Sequence, residues 1–114
     1  MIRFVVSKSD DHYKGFVLEG HAGYAEEGYD IICSAVSALA INTVNSIEVF
    51  TEDGFNAEQA EDGGYLKFML TEEPSASTVL LLDSLVLGMQ YIQEAYGEEY
   101  LSVSIPQESS KSNT

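Results

Sequence analysis

Residues 31–51 decide the fold of this chain, and they read IICSAVSALAINTVNSIEVFT. Apolar side chains recur in this stretch every three or four positions, which is the spacing of one face of an α-helix. They are Ile32, Val36, Leu39, Ala40, Val44, Ile47 and Phe50. Asp30 precedes the stretch as a suitable N-cap, and Glu52-Asp53-Gly54 ends it. The pattern predicts a first helix over about 31–51.

Two strands and a loop are predicted before this helix. Residues 2–6 are an apolar, β-branched run, and residues 15–19 form a second such run after a polar stretch. Residues 20–30 contain three glycines and no regular apolar period, which is typical of a loop. Because a loop of this length within a small domain is usually functional, we expect the site here.

A second hairpin and a second helix are predicted after the first helix. Residues 55–60 and 65–70 flank two glycines that permit a tight turn. Ser75 is a candidate cap and Gly97 a natural stop for the next helix. That helix is apolar on most sides, so we expect it to be sandwiched or to lie in a dimer interface.

The predicted element order is ββαββαβ, because residues 100–105 alternate like an edge strand. We therefore expect an α+β fold with a mostly antiparallel sheet packed on two helices. Residues 1–106 should form this single small domain, and residues 107–114 a polar, disordered tail.

The charge of the chain limits its partners. Its 114 residues include 5 Lys and Arg against 19 Asp and Glu, which gives a formal net charge of −14. Such a surface repels phosphate backbones, and the five basic residues never cluster, so direct binding to nucleic acid is not expected. A basic partner is the natural one.

Cysteine usage and hydropathy bear on the compartment. Cys33 is the single cysteine, so the chain forms no internal disulfide and no cysteine-based zinc site, and a cytoplasmic setting is expected. The apolar run at the N-terminus is too short for a signal peptide, and no stretch approaches the roughly 18 apolar residues of a membrane span. We expect no membrane association, no cofactor and no metal site.

Cys33 and His21 are the candidate catalytic residues. Cys33 falls in the predicted first turn of the helix, where unpaired N–H groups and the helix dipole favour a thiolate. His21 lies twelve residues earlier, in a loop that can fold back to bring its imidazole to the sulfur. The same N–H groups could hold an oxyanion, so the segment contains a nucleophile, a base and an oxyanion site for acyl transfer.

Other interpretations of these residues stay open. A lone cysteine beside Ile32 and Val36 is also what a small buried apolar side chain looks like, although Ser37 on the same helical face favours a polar stripe. His12 is a rival histidine, but it lies in the predicted first turn, where exposure to solvent is expected.

The remaining loop residues have two interpretations each. Gly23 and Gly28 belong to a loop that closes over a substrate, or they serve as turn glycines. Tyr24 and Tyr29 line that loop or cover the core. All four are candidates for substrate contact.

Two segments of the chain form one motif: Gly20-His21-Ala22-Gly23-Tyr24-Ala25 and Asp30-Ile31-Ile32-Cys33-Ser34-Ala35-Val36-Ser37. This motif resembles the signature of the ribosomal-processing cysteine protease Prp family. The resemblance implies a cytoplasmic, homodimeric endopeptidase that removes the short N-terminal extension of large-subunit ribosomal protein twenty-seven. It implies cleavage after an aromatic residue and before alanine, with Cys33 as nucleophile and His21 as base. Gly20, Asp30 and Ser37 match the remaining positions of the motif.

Two other classes of function are compatible with the same residues. A non-enzymatic assembly factor or chaperone would bind a basic ribosomal protein through the acidic face, and replacing Cys33 would not matter to it. A redox sensor would oxidise Cys33 reversibly, but the chain has no second cysteine to resolve the oxidised thiol.

Overall fold

The structure, a computed structural model, describes residues 1–20, 29–61 and 64–106, and for Tyr29 and Asp30 it describes the backbone alone. The predicted element order ββαββαβ is confirmed within these residues. The elements are β1 Ile2–Ser9, β2 His12–Glu19, α1 Tyr29–Phe50, β3 Phe55–Gln59, β4 Tyr65–Leu70, α2 Ala76–Tyr96 and β5 Leu101–Ser104. The predicted tail, 107–114, lies outside the described residues.

The strands of the described chain form one five-stranded sheet in the order β3-β4-β2-β1-β5. β1 pairs antiparallel with β2, β2 with β4, and β4 with β3, whereas β5 runs parallel to β1 at the opposite edge. α2 therefore carries the chain from β4 across β2 and β1 to β5, since parallel strands need such a crossover. The prediction of a mostly antiparallel sheet on two helices is confirmed.

One face of the sheet forms the core. Phe16 on β2 pairs in register with Phe68 on β4, and Phe4 on β1 lies diagonal to Phe16. Their ring centroids are 5.5 Å apart for Phe16 and Phe68 and 5.3 Å apart for Phe4 and Phe16, and all three side chains are almost completely buried. α1 and α2 both pack on this face because each presents a stripe of buried aliphatic side chains. The stripes consist of Ile32, Val36, Ala40 and Ile47 in α1 and of Leu82, Leu85, Val86 and Met89 in α2.

Segment Ile31–Phe50 of α1 corrects one expectation. Its 20 residues have a mean hydropathy of 1.4 and are long and apolar enough, by length and composition, to cross a membrane. Serines and asparagines interrupt the apolar run, so no continuous apolar span is visible in the sequence. Ile32, Val36 and Ile47 pack against the sheet, so we interpret α1 as the core helix of the domain.

The two helices are tied together where α1 ends and α2 begins. The Asp53 carboxylate accepts hydrogen bonds from the Ser75 N–H at 2.9 Å, from the Ser75 hydroxyl at 2.7 Å and from the Thr78 hydroxyl. Ser75 caps α2 and Gly97 ends it, as predicted. The bond from Thr78, and then those from Ser75, hold the pKa of Asp53 below its usual range.

We expect Asp53→Asn to destabilise the protein at neutral pH and to lose that effect in acid. The folded state favours the Asp53 carboxylate, so its contribution is present above the unfolded pKa of about 3.9 and is lost as the pH falls through the lower folded value. Urea unfolding of the wild type and the variant, from about pH 6 to about pH 2.5, measures the gap in the free energy of unfolding. The exposed neighbour Glu52→Gln is the control. A gap of constant size across the range would contradict the assignment.

Candidate active site

Cys33 is the fifth residue of α1, because the helix begins at Tyr29, two residues before the predicted start. Cys33 thus begins the second turn of the helix. The prediction that places it in the first turn is wrong, because the helix starts two residues earlier than predicted. Side chains of a helix point back toward its N-terminus, so the Cys33 side chain still leans over the first turn. The thiol therefore remains next to the end of the helix where N–H groups lack helical partners.

Cys33 lies at the margin of the core. Its side chain is buried, with 9% of the residue exposed, and Ile32 and Val36 beside it are fixed in the core. Burial agrees with both interpretations of a lone cysteine. Ser37 lies one turn further along the same flank of α1, as the spacing predicts, and it is half-buried.

Gly20 anchors the chain immediately before His21. Its φ is +84°, and its N–H donates to the Gly64 carbonyl at 3.0 Å. A Cβ atom on Gly20 would lie 2.5 Å from the Met1 carbonyl oxygen, closer than such atoms approach. Only glycine fits this conformation and this contact together, so the chain leaves β2 toward residue 21 from a fixed point.

Most of the predicted loop lies outside the described residues. This holds for His21, Gly23, Tyr24 and Gly28, so the proximity of His21 to Cys33 stays a prediction.

Tyr29 and Asp30 were predicted at the end of the loop but form the first two residues of α1. Asp30 is thus inside the helix and not its N-cap. The apolar period that located the helix starts only at Ile32, which is why the predicted helix began too late. An aspartate in a first turn is favourable to the helix dipole.

His12 is not the exposed turn histidine that the sequence predicts. Strands β1 and β2 extend to Ser9 and His12, which leaves a two-residue turn with Asp10 at φ +56°. His12 is therefore the first residue of β2, and only 10% of its side chain is exposed. Its Nδ1 lies 3.7 Å from an Asp11 carboxylate oxygen, in the hairpin turn that precedes β2.

A cleft near α1 has no counterpart in the predictions from sequence. This cleft of about 130 Å³ lies between α1 and the edge of the sheet formed by β3 and β4. It is lined by Ile41, Val44, Asn45, Ala57, Gln59 and Leu66. Its two walls come from segments that are distant in the chain, so no local pattern reports it.

Comparison with known proteins identifies the family. The model of the family described as cysteine protease Prp matches residues 1–101. The ribosomal processing cysteine protease Prp of Bacillus subtilis is 33% identical, over 84% of this chain and 90% of that protein. The protein of the same name from Staphylococcus aureus is 28% identical, over 72% of this chain and 77% of its own length.

Solved structures share the fold. SMU.848 from Streptococcus mutans is 31% identical, with a TM-score of 0.83 over 92% of this chain and 96% of that one. The ribosomal processing protease Prp of S. aureus, solved in complex with a substrate peptide, has a TM-score of 0.85 at 23% identity, over 93% of this chain and all of that one.

The fold, the position of Cys33 at the start of α1 and the match along residues 1–101 agree with one another. The chain belongs to the cysteine protease Prp family and is a cysteine protease.

Proposed function

We propose that this protease removes the short N-terminal extension from the precursor of large-subunit ribosomal protein twenty-seven, cutting after an aromatic residue and before alanine. The observation that carries the proposal is the family match over residues 1–101, together with the complete motif around Cys33. The names of the B. subtilis and S. aureus relatives support a ribosomal substrate. Cytoplasmic action follows, since ribosomal proteins mature there.

The proposed chemistry is acyl transfer through Cys33. The thiol gives its proton to His21, and the sulfur attacks the carbonyl carbon of the scissile bond. Backbone N–H groups at the start of α1 stabilise the oxyanion, and His21 returns the proton to the leaving amine. Water then hydrolyses the thioester, which releases the extension as a carboxylate and restores the thiol.

The motif residues around this pair have supporting roles in the proposal. Gly20 fixes the point from which His21 leaves the sheet, and Asp30 orients His21 or favours the first turn of α1. Ser37 supports Cys33 from one turn below. Gly23, Tyr24, Gly28 and Tyr29 are the candidates for contact with the substrate.

Net charge favours the encounter with such a substrate. Ribosomal proteins are basic, and a chain of net charge −14 attracts them over several ångströms at low salt. Of its basic residues, Arg3 is already paired with Glu19 across β1 and β2. Attraction of this kind raises the association rate more than the strength of the final complex.

We also propose that the protein is a homodimer. Leu80, Leu87 and Tyr91 form a stripe on α2 that faces away from the core, with exposed fractions of 68%, 50% and 62%. An apolar stripe of this spacing is typical of a helix that packs against another helix. Sedimentation as a single species of 12.5 kDa at micromolar concentration would contradict the dimer.

Intact mass spectrometry of the extended ribosomal protein incubated with this protease tests the proposed function. We expect the wild type to remove the extension, and Cys33→Ala and His21→Ala to lose at least about 10³-fold in rate, since each removes one half of the dyad. Ser34→Ala, an exposed neighbour on α1, should retain activity. A stable complex without cleavage, unchanged by Cys33→Ala, would favour the assembly-factor alternative instead.

Gly20→Ala should lower kcat/KM at least about tenfold in a protein that still folds, because the added Cβ displaces the anchor of His21. Gly97→Ala is the matched control, since Gly97 also has a positive φ, of +111°, but ends α2 away from Cys33. Thermal melting should show that both variants lose stability, and only Gly20→Ala should lose activity below its melting point. Equal activity of the two variants would contradict the positioning role of Gly20.

A further inference from the structure

The cleft between α1 and the edge of the sheet has an apolar floor and an amide rim. Leu66 is 4% exposed and Val44 is half-buried, and these two form the floor. Asn45 and Gln59 are exposed at the rim. An engineered cavity of about 150 Å³ binds benzene, so a cleft of about 130 Å³ has room for one aliphatic or aromatic side chain.

The cleft lies on the same flank of α1 as Cys33. At 3.6 residues per turn, Cys33, Ser37, Ile41 and Val44 fall within less than a quarter of the helix circumference, roughly 80°. The opposite flank is occupied by α2, because Leu39 packs against Gly88 there. A chain that reaches the Cys33 thiol from this flank can therefore follow α1 to the cleft.

The edge strand β3 offers main-chain partners along this path. In the described chain β3 pairs with β4 on one side and is the last strand of the sheet on the other. Its residues from Asn56 to Gln59 are exposed. An extended peptide can add to such an edge, and alternate side chains then point to the face of the sheet that α1 covers.

The helix sets the distance from the thiol to the cleft. Ile41 and Asn45 follow Cys33 by eight and twelve residues, which is about 12 to 18 Å along the axis at 1.5 Å per residue. An extended chain advances about 3.3 Å per residue, so four or five residues span this distance.

We propose that this cleft is a substrate subsite, which takes an apolar side chain of the extended peptide four or five residues from the scissile bond. The inference rests on the proposed function, since it extends the substrate path from Cys33. It makes Ala57, Ile41 and Val44 specificity-determining residues remote from the chemistry. Substrates too short to reach the cleft lose its contribution.

The test compares two peptides cut from the sequence of the extended ribosomal protein. One spans six residues on each side of the scissile bond, and the other spans three. The wild type should cleave the long peptide with kcat/KM at least about tenfold above the short one, as expected for one buried side chain. Ala57→Phe fills the cleft from an exposed position of β3. It should reduce kcat/KM for the long peptide to the value for the short one.

Asn56→Phe is the matched control, because it places the same ring on the same strand but on the opposite face of the sheet. It should leave kcat/KM for both peptides unchanged. A second experiment changes the substrate. Alanine at the apolar position four or five residues from the scissile bond should lower kcat/KM of the wild type about tenfold and have no effect on kcat/KM of Ala57→Phe. The change of substrate tests the cleft in the wild-type enzyme, so this result does not depend on whether a variant folds.

Equal cleavage of both peptides by the wild type would overturn the subsite and leave the protease function intact. An equal loss of kcat/KM on both peptides in Ala57→Phe, or no loss on either peptide, would also overturn the subsite. Failure of the wild type to cleave either peptide or the full precursor would instead contradict the proposed function.

Discussion

The packing of α1 on one face of the sheet is the constraint on which the rest of the structure depends. The same helix must bury Val36 and Ile47 against the phenylalanines of the sheet and hold Cys33 at its beginning. Because close-packed cores tolerate little displacement, burial of Ile32 next to Cys33 fixes the position of the proposed nucleophile. In the proposed mechanism, protein stability and protease activity are therefore coupled through α1.

The sheet fixes the point at which the chain starts toward His21. Gly20 directly follows β2 and lies against Met1 and Gly64, so the chain starts toward His21 from a fixed point at the sheet. At the far end of α1, Asp53 joins the first residues of α2 and holds the two helices together. Within the described residues, α2 leaves one flank of α1 uncovered, between Cys33 and the edge strand β3, and this is where we propose that an extended peptide lies.

Much of this fold could be predicted because local patterns dictate it. Apolar runs and turn glycines located the hairpins, the three-to-four period located α1, and Ser75 and Gly97 marked the ends of α2. The errors arose where neighbouring structure decides. β1 and β2 are longer than their apolar runs, since pairing across the hairpin extends them to His12. The prediction of Asp30 as N-cap failed because the helix continues beyond its apolar face.

The candidate site was predictable as a motif but not as a geometry. Ser37 lies on the same flank of α1 as Cys33, as their spacing predicts, but Cys33 begins the second turn and not the first. The left-handed Gly20 lies against the backbone of Met1, nineteen positions away in the chain. The cleft beside α1 needed the tertiary structure, because Ile41 and Ala57 share no local pattern. A periodic pattern of residues does not report the tertiary contacts that those residues make.

The central claim is that Cys33 forms a thioester with the N-terminal part of the substrate. The most direct measurement is intact mass spectrometry of the enzyme after an acid quench during turnover of the extended ribosomal protein. The account predicts that the mass of the chain rises by the mass of the released extension minus one water, with the adduct on the tryptic peptide that contains Cys33. Processing of the substrate without any such adduct, or with the adduct on another residue, would contradict it.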